Sequence, residues 1–329
     1  MSGLFQSLPF AVIFLVIGFA LLVKGADAFV EGCSSIAKRY HVPSLIIGMT
    51  IVAMGTSLPE TAVSITASAT GNNSLAISNA VGSNIFNLMV VVGVCTLFTS
   101  VAVQKSTLKF DFPISIACAA LLLILGFIGS TLGRVDGIVL IILFACFIFY
   151  MIRSAMASRK NNTDFNPEDA TALSEAEEIQ VMSMGKSILY IILGGIAIAL
   201  GGDWVVDGSC TIASAFGLSQ TLIGLTIVAM GTSLPELATS VVAAKRGEVD
   251  MALGNVIGSN IFNILMVLGI AATASPVAFI TENMVDIAVL IAFSFLIWIL
   301  AWTKQELNKK EGISMLILYV AYMVYICMR

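Results

Sequence analysis

Apolar residues run through this chain in long blocks separated by short polar stretches. Most blocks reach the roughly 20 residues that an α-helix needs to cross a bilayer, and none shows the alternation of a membrane barrel strand. The pattern predicts ten spans, at 8–37, 44–70, 74–98, 110–130, 135–153, 185–214, 220–244, 250–274, 283–303 and 312–328. The one long interruption, Ser154 to Met184, is polar, acidic and poor in aromatic residues, which marks it as a linker. It lacks the alternating Asp/Asn ladder and central glycine of a calcium-binding loop. The predicted organisation is therefore residues 1–153 with five spans, a cytoplasmic linker at 154–184, and residues 185–329 with five more.

The two halves are copies. Gly48 to Glu60 reads GMTIVAMGTSLPE and Gly224 to Glu236 reads GLTIVAMGTSLPE, an offset of 176 residues (224 less 48). At the same offset GSNIFN at Gly82 to Asn87 recurs at Gly258 to Asn263, and Asp27 and Gly32 recur as Asp203 and Gly208. Repetition on this scale means a duplicated architecture.

Loop charges give the orientation. With the N-terminus outside, the inner loops and their flanks receive Lys38, Arg39, Lys105, Lys109, Arg153, Arg159, Lys160, Lys186, Lys245, Arg246, Lys304, Lys309 and Lys310. The outer side keeps only Arg134 and Arg329, which is a positive-inside asymmetry with both termini outside. An odd number of spans per half then forces the second copy to run opposite to the first. The halves are predicted to be inverted repeats related by an axis in the membrane plane, so Glu60 and Glu236 can converge at mid-bilayer.

Composition agrees with a membrane protein: 58% of the residues are hydrophobic and only 11% charged, against about 25% charged in soluble domains. The net charge of −4 adds little, and no nucleic-acid partner is expected. Cys33, Cys95, Cys118, Cys146, Cys210 and Cys327 form no CxxC and are expected as buried small apolar residues rather than a disulfide frame or zinc site. His41 is expected in an interfacial turn. Met1–Ser7 lacks a positive n-region, so the first span reads as an uncleaved helix.

Ionisable residues deep in a span point to function. In GTSLPE, Gly55 weakens the helix and Pro59 removes a donor, predicting an unwound step over Ala53 to Leu58 with free carbonyls. Those carbonyls with Thr56, Ser57 and Glu60, and Thr232, Ser233 and Glu236 in the second copy, offer only oxygen. Ser83 and Asn87 share a helix face, as do Ser259 and Asn263. Without histidine or thiolate the set argues against zinc or copper, and it suits a hard cation, calcium rather than magnesium. Ser64, Ser68 and Ser240 read as helix-packing residues. Asp27, Glu31, Asp203 and Asp207 read as facing water or another helix.

GTSLPE followed by GSNIFN, present twice around a central loop, resembles the cation/calcium exchanger superfamily, close to its prokaryotic sodium/calcium exchangers. The likeness extends over the ten-span layout. It implies sodium-driven calcium transport by alternating access, with Glu60 and Glu236 as central ligands beside the backbone oxygens of Thr56 and Thr232. It places Ala53, Ser57, Ser83, Ala229, Ser233 and Ser259 at flanking sodium sites, and Asn87 and Asn263 at the remaining central positions. Many relatives carry aspartate where this chain has Asn263, a departure that bears on stoichiometry and on potassium coupling. The proton-coupled branch usually carries a different, GNxxE-like signature.

Two unpaired carboxylates cost several kcal/mol each in a closed, dry barrier. A carrier that reorients only when one calcium ion, sodium ions or protons compensate them is an obligatory exchanger, and acid should compete with calcium for the pair. The alternatives are calcium/proton exchange, a calcium-permeable channel and an intramembrane enzyme. A channel usually needs a ring of subunits, whereas the duplication provides one site in one chain, so a monomer is the expected unit. An enzyme lacks a nucleophile with a base. Calcium and sodium are cargo, the bilayer is the surroundings, and no cofactor is expected. Spans one and six, the longest, are expected to slide across a core of spans two, three, seven and eight.

Overall fold

The computed structural model describes residues 8–69, 73–163, 181–217 and 229–328. Its helices are α1 Leu8–Tyr40, α2 Ser44–Thr56, α3 Leu58–Ser68, α4 Leu75–Phe98, α5 Thr107–Gly129, α6 Arg134–Thr163, α7 Met184–Ala215, α8 Leu234–Lys245, α9 Val249–Ala274, α10 Thr281–Lys304 and α11 Lys309–Met328. Among the described residues, eight helices are long and apolar enough to cross a bilayer, and the pair α2–α3, bent by 49° and taken as one crossing, adds a ninth. The expected seventh span, 220–244, lies partly outside the described residues, which show a helical turn at Ala229–Gly231 and then α8.

Two boundaries differ from expectation. Helix α6 continues to Thr163, into the stretch expected as linker, because no proline or glycine stops it before the polar residues take over. The expected linker residues 164–180 lie outside the described residues. The cysteines also divide: Cys33, Cys95 and Cys118 are buried, Cys210 is half-buried, and Cys146 and Cys327 are exposed. These two sit on the apolar outer faces of α6 and α11, beside exposed Ile142, Phe149 and Val324, where lipid replaces a core. His41 caps α1 in a left-handed turn at φ 53°.

The long helices of the two halves pack against each other. Helices α1 and α7 cross along a stripe of small residues: a Cβ on Gly18 would stand 2.9 Å from Gly201 O, one on Gly25 2.9 Å from Gly194 O, and one on Gly32 2.8 Å from Ser187 O. As the number rises on α1 it falls on α7, so the two helices are antiparallel and packed backbone to backbone, as small residues permit in lipid. Phe14 meets Trp204 edge-on at 5.0 Å in the same seam.

Four two-residue strands tie the loops. Strand β1 Val101–Ala102 pairs with β4 Glu306–Leu307, and β2 Thr131–Leu132 pairs with β3 Val277–Ala278, both antiparallel. The 176-residue offset carries 101 onto 277 and 131 onto 307, so each ribbon joins a strand of one half to a strand of the other. Each also joins loops that the charge pattern had assigned to one membrane side, the lysine-rich loops through β1–β4 and the lysine-poor ones through β2–β3. Gln104 Nε2 to Asp250 Oδ2 at 2.7 Å and Ser44 Oγ to Glu248 Oε2 at 2.7 Å add ties on the lysine-rich side. The core fills the centre, where α9 is buried along most of its length against α2.

Candidate ion-binding site

Ser57 is the residue on which the first motif turns. Contrary to the expected unwound step, Ala53–Thr56 stays helical and the break is confined to Ser57 (φ −85°, ψ 15°). Pro59 sits at the second position of a new helix, where its missing N–H leaves no helical bond unmade. Starting a second helix at an angle is thus cheaper than unwinding the first. Ser57 keeps the ladder intact on both sides, donating its N–H to Ala53 O at 3.1 Å and accepting from Thr61 N at 3.1 Å. Ser233 repeats this geometry (φ −93°, ψ 6°), with Leu237 N–H donating to its carbonyl at 3.1 Å. Each motif therefore ends one helix and starts another with Glu60 or Glu236 in the new first turn, where the helix N-terminus favours a negative charge.

The breaks face each other. Ser57 Oγ donates to Glu236 Oε1 at 2.8 Å, and Ser233 Oγ donates to Glu60 Oε1 at 3.1 Å. Ser83 Oγ reaches the same Glu60 oxygen at 3.4 Å. Each glutamate is held by the serine of the other repeat, so the two acids occupy one site. Both are 0% exposed. Among the described residues the only ion pairs belong to Arg246, so no cation of the protein neutralises either acid there.

A second layer comes from α4 and α9. Asn87 Nδ2 donates to Asn260 Oδ1 at 3.3 Å, and Asn263 Nδ2 donates to Asn84 Oδ1 at 3.1 Å. Asn84 and Asn260 in turn donate to each other's main-chain oxygens, at 3.0 and 3.3 Å. This clasp spends the N–H groups of Asn87 and Asn263 on protein and leaves their carbonyl oxygens bare. Five-residue π-helical segments begin at both, Asn87–Val91 and Asn263–Val267; such segments recur at functional sites.

Of seven buried side-chain oxygens without a partner among the described residues, five belong to the predicted site, Glu60 Oε2, Glu236 Oε2, Asn87 Oδ1, Asn263 Oδ1 and Ser259 Oγ; the other two are the hydroxyls of Thr107 and Thr239. An unmet buried acceptor costs about 1–3 kcal/mol, more when charged. Four of the five can only accept. A proton donor or a cation is what such a site lacks, and the donor set is all oxygen. No cluster of three or more His, Cys, Asp or Glu exists among the described residues, so the chemistry rests on the pair of acids and neutral oxygens.

The remaining predicted residues lie around this centre. The Thr56 hydroxyl is 3.1 Å from Val52 O and 3.1 Å from Asn255 Oδ1, and Thr232 Oγ1 is 3.5 Å from Asn79 Oδ1. Ala53 is buried in the turn before Ser57, and Ala229 opens the corresponding turn of the second repeat. Sequence reasoning passed over Asn79 and Asn255. Asn79 Nδ2 holds Glu60 O at 3.3 Å and Ser64 Oγ at 3.1 Å, and Asn255 Nδ2 holds Glu236 O at 3.4 Å and Ser240 Oγ at 2.9 Å. The signal was available, since Asn79, Ser83 and Asn87 continue one helix face at intervals of four. Asp27 and Glu31 face Arg246 rather than the site.

A cavity of about 460 Å³ is lined by Leu58 and Pro59 of the first motif, Asp203 and Asp207 of α7, and Thr232 and Pro235 of the second motif, residues that flank Ser57 and Ser233. A cavity of about 470 Å³ lies between α1, α4 and α8 on the lysine-rich side and is lined as deep as Leu234, the residue after Ser233.

A family model described as sodium/calcium exchanger protein matches residues 10–153 and 186–328. The chain is similar to the sodium/calcium exchanger MaX1 of Methanosarcina acetivorans, at 34% identity over 94% of this chain and 96% of that protein. It is also 34% identical to the inner membrane protein YrbG of Escherichia coli, over 86% of this chain and 87% of that one. Among solved structures, the sodium-calcium exchanger NCX_Mj soaked with 2.5 mM Na+ and 0.1 mM Ca2+ superposes with a TM-score of 0.80 at 32% identity, covering 95% of this chain and 97% of that one.

Proposed function

Because the chain belongs to the sodium/calcium exchanger protein family, we propose that it is a secondary antiporter that exchanges sodium for calcium across the cell membrane by alternating access. The observation that carries this reading is the pair of fully buried glutamates with no ion pair among the described residues, accompanied by buried acceptor oxygens that have no donor. Glu60 and Glu236 are the central calcium ligands, with the bare carbonyl oxygens of Asn87 and Asn263 and the backbone oxygens of Thr56 and Thr232 completing an oxygen shell. Sodium ions occupy flanking sites built from Ala53, Ser57 and Ser83 on one side and Ala229, Ser233 and Ser259 on the other.

The chemistry follows from charge. With Asn263 in place of an acid, the site carries two negative charges, which one calcium ion neutralises. Empty, the pair resists passage through a dry barrier by several kcal/mol per ion, so reorientation waits for cargo and exchange is obligatory. Ser57 and Ser233 link the two halves of the site: a cation bound to Glu236 displaces a hydroxyl that belongs to the first repeat, and the converse holds for Glu60. Ten crossings in two inverted five-helix repeats, with the termini outside and the linker in the cytoplasm, place the site between two aqueous vestibules. The antiparallel pair α1–α7 slides across the core to expose them in turn. One chain contains the complete site, so a monomer works alone, without a cofactor and without enzymatic chemistry.

The test is calcium-45 uptake into proteoliposomes with sodium, potassium and proton gradients imposed one at a time. Uptake should follow the sodium gradient, and Glu60→Gln and Glu236→Gln should each reduce it to the empty-liposome level. Uptake driven equally well by a proton gradient alone, or persisting in either glutamine variant, would overturn the reading.

A further inference from the structure

An inverted repeat makes a quantitative demand on a carrier. If the two halves were identical in sequence, the outward-facing and inward-facing arrangements would be related by exchanging the halves and would have equal energy. Any preference between them must arise from positions where the repeats differ. One such difference lies at the end of α8. Lys245 and Arg246 stand there, and the offset of 176 places Ala69 and Thr70 at the corresponding positions of the first repeat.

Both cations are engaged, with different elements. Lys245 Nζ lies 4.0 Å from the centre of the Phe98 ring on α4. Arg246 crosses the mouth of the inner cavity to α1, with Nη2 2.6 Å and Nε 2.9 Å from Asp27 Oδ1 and Nη2 3.3 Å from Glu31 Oε2. The acids have counterparts on α7, since Asp27 maps to Asp203 and Glu31 to Asp207. Asp203 and Asp207 are exposed, line the outer cavity and form no ion pair among the described residues. The two cavities are thus mates by sequence offset but not in their fastenings. The inner one is spanned by an ion pair, whereas the outer one carries acids with no ion pair among the described residues; both reach a neighbour of Ser233, Leu234 in the inner and Thr232 in the outer.

We propose that Arg246, with Asp27 and Glu31, is a latch that fastens α1 to α8 on the cytoplasmic side, stabilises the outward-facing arrangement, and so makes the apparent calcium affinity differ between the two faces. This inference rests on the alternating-access reading above, with α1 moving relative to α8. Opening the inner vestibule parts α1 from α8 and must break all three contacts of Arg246. At the matching positions the sequence has Ala69 and Thr70, which offer no cation, so closing the outer vestibule forms no equivalent ion pair there. The three side chains are 27–44% exposed, so each bond is individually weak, and together they bias the equilibrium by about 3- to 10-fold. Arg246 touches no ion-binding residue and acts as a positioning residue.

The experiment titrates calcium separately from the cytoplasmic and the outer face of oriented proteoliposomes, in wild type, Arg246→Gln, Asp27→Asn and the exchange Asp27→Arg/Arg246→Asp. Removing the latch should lower the half-saturating calcium concentration on the cytoplasmic face and raise it on the outer face, each about 3- to 10-fold, and the charge exchange should restore the original asymmetry. A thiol at Ala238→Cys, in a background without native cysteines, should react faster with an impermeant reagent from the cytoplasmic side when Arg246→Gln is added. A merely structural role would lower the maximal rate without moving the two faces in opposite directions, and that result in both single variants overturns the latch. Absence of sodium-driven exchange in wild type would instead be a failure of the functional reading, so the two are told apart by the first control. Should Arg246→Gln not fold, Asp27→Asn, which leaves Glu31 in place, gives the same test with a smaller shift.

Discussion

Replacing Asn263 by aspartate tests the site where the chain departs from many of its relatives. Asn263 is fully buried, and its Nδ2 donates to Asn84 Oδ1 at 3.1 Å. Aspartate has no N–H to offer, so two acceptors would face each other. Turning the Asn84 amide over relieves that clash only by breaking its own bond to Asn260 O at 3.0 Å. One unmet buried acceptor results either way, at about 1–3 kcal/mol, before the repulsion of a third negative charge is added. For a chain of this size, that corresponds to a fall of about 1–4 °C in the melting temperature of the ion-free protein. Calcium should recover much of the loss, because a third carboxylate binds the cation and ligation favours the folded state. The assay is thermal unfolding followed by fluorescence of the three tryptophans, with a chelator and then with saturating calcium. The variant should melt lower than wild type in chelator and gain more from calcium. Asn87→Asp, which breaks the matching bond to Asn260 Oδ1 at 3.3 Å, should behave alike. Equal stability in chelator, or an equal calcium increment, would refute the claim that the clasp orients these amides.

Two further outcomes follow from the packing and the crossed serines. Gly194→Leu drives a side chain into Phe29 N and Gly25 O, 2.7 and 2.8 Å from the new Cβ, and should destabilise the α1–α7 seam by at least the 1–3 kcal/mol typical of overpacking; Gly185→Ala, with open space around it, serves as the neutral control in the same thermal assay. Ser57→Ala removes a hydrogen bond to Glu236 that calcium has to displace, and should tighten calcium binding about 3- to 10-fold by calorimetry; unchanged or weaker binding would break the cross-repeat assignment.

Much of this molecule was legible because a bilayer leaves a chain few options. Long apolar blocks pointed to helices, and a 176-residue echo with an odd number of expected crossings pointed to an inverted pair; the equivalent helices α1 and α7 run antiparallel. Glu60 and Glu236 stood out because carboxylates are rare in such surroundings. What escaped was set by local competition. The unwinding expected around Pro59 did not occur, because restarting the helix at Ser57 satisfies the backbone at lower cost. The role of Asn79 and Asn255 was hidden because asparagine in a membrane helix reads equally as packing or as ligand. Only the partners, Ser64 and the Glu60 carbonyl in one copy and Ser240 and the Glu236 carbonyl in the other, decide between the two. The pairing of β1 with β4 and of β2 with β3 carried no signal at all in residues so few and so ordinary.

Those short ribbons have an evolutionary consequence. Each strand edge finds its mate in the opposite copy, as do Asn84 with Asn260 and Ser57 with Glu236, so neither half satisfies these groups alone. A forerunner encoded as one copy would have had to insert in both directions and assemble as a head-to-tail couple of identical chains. Joining the genes freed each copy to drift, and the arginine at position 246 is the kind of one-sided novelty that only a fused descendant can keep.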